Sequence, residues 1–322
     1  MQFGLSSAWA AEECGPPSPG IEPQLTCSSD LSQYSSGITY LEPSIPHGLR
    51  LKLDSTVTVL RAPGAAQHGV DLATNGPNAI HLDMADGVRI STSGVHAQGV
   101  KLKGRRDLIV DSGANIDVVD PSATPDGLGT AAIVAELDDP SGSGDIVINQ
   151  RAGSQLQASG IETAGILATH VGQGSVLVTT SGEIVVTGDK GYGVNAWGLT
   201  WTGAPGPSTV DVTVVQTETG RIAIDGEDAV GVFALNDGIG QAAIEIHGSV
   251  HATGSWATGL VSFVNEPDSQ ARATALISRT GSVHVEGDKA SAVNVLNAGE
   301  GEVGVVSAGW LSAEGENARG VN

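Results

Sequence analysis

One spacing recurs down most of this chain. Counting from Gly220, apolar residues follow at offsets +2 and +4 (Ile222, Ile224), Gly at +6 (Gly226), Ala at +9 (Ala229), Gly at +11 (Gly231), and apolar or small residues at +12 and +14 (Val232, Ala234). The same frame fits from Gly182, Gly248, Gly281 and Gly309, and upstream from Thr58 and Val88; Gly153 fits after one inserted residue and Gly113 only at its start. Before most starts lies a further alternating pair, such as Leu82 with Met84 or Val176 with Val178. Each unit therefore holds three short period-2 segments, none long enough to bury its own apolar face. Such units bury it only by stacking on their neighbours, so the pattern predicts an all-β parallel β-helix (solenoid) of about nine coils. The inward residues it predicts include Ile184, Val186, Val194, Ile222, Ile224, Val232, Val283, Val285 and Val293.

Glycine supports the same reading. The chain has 45 Gly but only 3 % aromatic residues, which favours strands and Gly-marked turns over helices. At +6 and +11 a corner between strands is expected, where positive φ or a close approach to the neighbouring coil leaves no room for a Cβ. The small residue at +9 is expected to point inward. The length between starts varies while the frame does not, so the insertions should emerge near one edge, after the second strand. They are residues 121–130, 198–209 and 265–274.

Charge narrows the partners. With 15 Lys+Arg against 36 Asp+Glu, the net charge of −21 repels phosphate backbones and anionic headgroups, so nucleic acid is not an expected partner. No apolar run approaches the ~20 residues of a spanning helix, and no alternating barrel pattern with aromatic girdles is present, so this segment is not expected to insert into a membrane. Cys14 and Cys27 are the only cysteines and fit no metal or redox spacing; a local disulfide, and with it an oxidising compartment, is the expectation. Residues 1–13 contain Ala8-Trp9-Ala10, a small-x-small triplet like the end of an export signal, without a basic start or an apolar stretch before it. The expected organisation is a residual signal or boundary segment (1–13), a disulfide-stapled N-terminal cap (14–57) and the helix (58–322), which breaks off within a coil.

The stretches Gln67-His68-Gly69-Val70-Asp71-Leu72 and Gly94-Val95-His96-Ala97-Gln98-Gly99-Val100-Lys101-Leu102 carry a family resemblance, as does the head from Cys14-Gly15-Pro16-Pro17 through Thr26-Cys27 to Ser36-Gly37-Ile38-Thr39-Tyr40. Over residues 14–322 the chain resembles the pertactin-like passenger domains of bacterial type V autotransporters. That resemblance implies a right-handed helix, exported through the periplasm and displayed at the outer membrane or released. It implies binding or adhesion to a host protein or another cell-surface macromolecule, with self-association as another use of the same surface. No translocator barrel is present in these residues, and no Arg-Gly-Asp tripeptide.

Parallel β-helices also host polysaccharide lyases and glycosidases, which need paired carboxylates. Glu136, Asp138 and Asp139 cluster near a loop, and Asp225, Glu227 and Asp228 share a corner that also carries Asp189, Asp288 and Glu316; a solvated charged rim accounts for them. His247 and His251 stand four apart but straddle Gly248 between strands, where that spacing does not define one face. No catalytic residues, metal ligands or cofactor are expected. Recognition is assigned to the loop edge, with Trp197 and Trp201 as anchors. Tyr192 and Trp256, the latter where other coils carry charge, join them, together with Glu266, Asp268 and Arg272.

Overall fold

The computed structural model describes residues 14–17, 23–28, 34–42, 44–122, 129–200 and 207–322. Every described strand belongs to one of three parallel sheets, which form the three sides of a β-solenoid of about nine turns. Side one has nine strands, from Thr58–Leu60 to Trp310–Glu314. Side two has ten, from Ile38–Leu41 to Arg319–Val321, and side three ten, from Gln24–Cys27 to Val303–Ser307. No described residue is helical.

The repeat frame becomes register. On side one, Ile116, Leu156, Ile184, Ile222, Val250 and Val283 pair in one continuous column. All are at most 2 % exposed. All nine inward residues expected from the spacing are buried, none above 3 %. Burying one such side chain is worth about 2 kcal/mol, and here the lid over each residue is its counterpart one coil away. Stability is thus shared between neighbours rather than held in one centre.

The first coil departs from the sequence reading in one detail. Counting the first coil from Thr58 turned its strand inside out: Val59 pairs with Ile90 and is fully buried, whereas Leu60 is 42 % exposed. A one-residue slip exchanges the two faces of a strand. Strand pairing runs on across residue 58, because Leu51 pairs with Leu82 on side three and Tyr40 with Leu72 on side two.

The two glycine positions have different causes. Those at +6 sit at the corner with positive φ, for example 126° at Gly188 and 127° at Gly254. Those at +11 lie inside side-two strands with no such φ. A Cβ on Gly193 would stand 2.4 Å from the Gly231 carbonyl oxygen and 2.5 Å from Ile222 Cγ2. Between them, at +8, runs a column of non-glycine residues in the left-handed region: Ala66, His96, Glu162, Lys190, Asp228, Trp256, Lys289 and Asn317, with φ between 51° and 62°. Each such residue costs about 1 kcal/mol in isolation. What offsets the cost is a hydrogen bond from its own N–H to the next coil, as from Lys190 to the Glu227 carbonyl at 2.7 Å and from Trp256 to that of Asp288 at 2.8 Å. The alanines at +9 point inward as expected; Ala97, Ala229, Ala257 and Ala290 are fully buried.

At the amino-terminal end Cys14 and Cys27 form a disulfide, with Cα atoms 5.1 Å apart. Tyr40 ties the same segment down. Its buried hydroxyl donates to the Gly15 carbonyl at 2.9 Å and accepts from the Cys14 N–H at 3.1 Å.

Candidate functional site

The insertions do not share one edge. Residues 121–130 leave between side one and side two, whereas 198–209 and 265–274 leave between side two and side three. They flank side two on both margins, which makes its outer face the surface they border. Residues 123–128 and 201–206, including Trp201, lie outside the described residues.

That face is apolar through its middle coils, whereas the earlier coils turn Asp71, Lys101, Lys103 and Glu136 outward. Strand alternation points offsets +12 and +14 inward and +13 and +15 outward. One outward column runs Val134, Leu167, Asn195, Phe233, Val261; the next carries Trp197, Leu235, Phe263 and Leu296. Apart from Phe3, the phenylalanines of the chain are Phe233 and Phe263, and both point away from the core. Val134 and Leu167 form a small second cluster with Ala131 and Ala164, against which Tyr192 packs. Outward positions on the other two sides are mostly polar, as with Glu183, Arg221 and Ser249 on side one and Asp145, Asn149 and Thr179 on side three. Of the residues in the two outward columns of side two, Val134, Leu167, Asn195 and Val261 are buried within the chain, whereas Trp197, Phe233, Leu235 and Phe263 are half-buried and Leu296 is exposed.

Two polar groups are embedded in this face. Asn195 is fully buried, and among the described residues neither atom of its amide has a hydrogen-bond partner; the indole N–H of Trp197 is buried and likewise without a partner among them. Buried polar groups are normally satisfied, so these two are exceptions, and both lie beneath the surface rather than on it. Tyr192 lies half-buried at the margin. Burial raises its hydroxyl pKa, with Glu162 and Asp228 adding to the effect.

The remaining sequence-predicted residues scatter. Trp256 stands at the left-handed corner, 51 % exposed, with the Lys289 ammonium 4.3 Å from its ring centroid. Arg272 pairs with Glu302 at 3.1 Å, and Asp268 and Arg272 line a shallow cavity with Asp211, Ile239 and Gln241. Glu266 caps a turn through its carbonyl, which accepts from the Ser269 N–H. Tyr192 and Trp197 therefore share the apolar face, while Trp256 and the loop charges flank it. Phe233, Phe263, Leu235 and Asn195 escaped the sequence reading, although their odd offsets identify them as outward.

Four of the candidate carboxylates have structural partners. Asp189 accepts from the Glu227 N–H at 3.0 Å and Asp288 from the Glu316 N–H at 3.1 Å, so these corner acids cap the turn of the next coil. Asp138 pairs with Lys103 at 2.8 Å and Asp139 with Arg105 at 3.4 Å. Arg151 bridges Asp83 and Asp111 from neighbouring coils of side three.

His247 and His251 do not face one another. His247 neighbours Glu245 at 3.8 Å, whereas His251 stands beside His284, one coil along on side one. No protein-family model, curated protein or solved structure matches this chain.

Proposed function

We propose that the chain is a non-enzymatic recognition module, a passenger of the autotransporter type that presents a rigid β-helical surface to a macromolecule outside the cell. The observation that carries this reading is the outward apolar column of side two, with Tyr192, Trp197, Phe233 and Phe263 set on a stacked sheet. Ladder hydrogen bonds hold these side chains in place before any partner arrives, so little ordering entropy is lost on contact. Aromatic anchors around embedded polar groups are the usual composition of a protein-recognition patch. The disulfide suits an oxidising destination, and among the described residues no helix is long and apolar enough to cross a membrane. Both fit an exported protein, and display at the cell surface is the route the family resemblance implies.

A carbohydrate-active enzyme on the same fold draws less support, because Asp138, Asp139, Asp189 and Asp288 among its candidate acids are engaged in turn caps and ion pairs. The acidity of the chain favours a basic or neutral host surface, with association that slows as salt rises.

The reading is tested by binding of the purified chain to intact mammalian cells and to extracellular-matrix proteins. Trp197→Ala, and separately deletion of residues 201–206, should each weaken binding with the circular dichroism unchanged. Binding indifferent to both changes would place recognition elsewhere.

A further inference from the structure

On the outer face of side one, His251 and His284 pair in register one coil apart, their ring centroids separated by 4.9 Å. Glu286 follows His284 by two residues and so projects from the same face. Its Oε1 lies 2.7 Å from His284 Nε2 and 3.4 Å from His251 Nε2. One donor atom from each residue falls within 4.8 Å of the others, and among the described residues no other group of three His, Cys, Asp or Glu converges in this way. We propose that these three side chains form a binding site for a divalent transition-metal ion of the zinc class.

Four features support the assignment. Two imidazoles and one carboxylate make a borderline donor set that suits Zn²⁺ and its neighbours, whereas Ca²⁺ and Mg²⁺ prefer oxygen alone. Ligands about 2.1 Å from a tetrahedral ion lie a little over 3 Å apart. The His251–Glu286 separation already matches, and His284 needs only a small side-chain rotation, which its partial exposure permits. His284 Nδ1 contacts the Ser312 hydroxyl of the following coil, leaving Nε2 to face the ion and supplying the outer hydrogen bond that orients a metal-binding imidazole. Finally, Glu314 pairs in register with Glu286 and Asp225 with Thr253, so the adjoining column adds negative charge around the site.

Three protein ligands leave room for water or for a donor from another molecule. The ion would also link the coil of His251 to that of His284 and Glu286. The site lies on side one and is independent of the side-two surface.

Isothermal titration of the full, tag-free chain with zinc chloride at neutral pH is the test. One equivalent of Zn²⁺ should bind saturably, and calcium chloride should give no comparable heat. His251→Ala and His284→Ala should each abolish this binding, Ser312→Ala should weaken it about 10-fold, and His247→Ala should leave it intact. Circular dichroism and melting without metal verify that each variant is folded. No saturable binding by the wild-type chain, or binding that survives in both folded His251→Ala and His284→Ala, overturns the proposal.

Discussion

Tyr192 and Phe233 meet edge to face outside the sheet, ring centroids 6.0 Å apart and planes at 88°. They come from successive coils, and neither ring enters the core. Edge-to-face pairs are worth about 1 kcal/mol beyond their burial, so this one braces the outer face while keeping large apolar surface at the margin. In a chain only 3 % aromatic, such use of two rings sets side two apart from its neighbours.

The two backbone exceptions in each coil should differ sharply in their tolerance of substitution. Gly193→Ala puts a Cβ against a backbone oxygen of the next coil, which cannot retreat without opening the ladder; a loss of about 3 kcal/mol is expected. Lys190→Gly removes a left-handed side chain, φ 56°, and an ion pair to Glu162 at 3.6 Å. Relief of backbone strain, the entropy of the added glycine and loss of a weak surface pair nearly cancel, leaving stability within about 1 kcal/mol of wild type. Urea unfolding of the two variants checks both expectations.

Reduction, or paired Cys14→Ser and Cys27→Ser substitution, should loosen the amino-terminal coils selectively. The disulfide contributes about 3 kcal/mol in the chain-entropy account, but stacking confines its influence to neighbouring coils. Hydrogen exchange should quicken around Gln24–Cys27 and Ile38–Leu41 while side-one strands from Gln155 to Glu286 keep their protection. Uniform loss of protection along the chain would count against the stacked account.

Acid should weaken the early coils through His68. Burial lowers its pKa from 6.5 to about 4, with Lys101 and Arg61 adding repulsion, and its Nδ1 has no hydrogen-bond partner. As pH falls below 6.5 the unfolded chain takes up the proton before the folded one does, so stability drops until about pH 4, where both forms are protonated. Asp71, whose pKa burial raises, has the opposite sign and acts in the carboxylate range. His68→Gln should flatten the slope of unfolding free energy against pH in the His68 window; an unchanged slope would remove His68 from the account.

Most of the fold was legible because a solenoid repeats its solution. Ile184, Ile222 and Val283 recur at one offset since each is packed by the residue at that offset in the next coil. Legibility failed where the repeat was irregular or where a grouping of side chains depended on relations between coils. Thr58 was read one residue out of register, a slip that only pairing with Arg89 reveals. The insertion at 121–130 was placed at the wrong corner, because a shared variable length does not say which two sides a loop joins. His251 and His284 are thirty-three residues apart, the length of their particular coil, so a search for short-range ligand spacing passes over them. The odd offsets of Phe233 and Phe263 place them outward, but apolar residues at those offsets do not recur from coil to coil as the inward ones do.

The central claim, that side two carries recognition on its outer face, is tested most directly by Phe233→Ser combined with Phe263→Ser. Both rings are half-buried outside the core. Cell and matrix-protein binding should be measured beside circular dichroism and melting, with Ala223→Ser on the outer face of side one as a control. The account predicts that the double variant loses binding at nearly unchanged melting temperature while the control binds as wild type. Full binding by the folded double variant would contradict it.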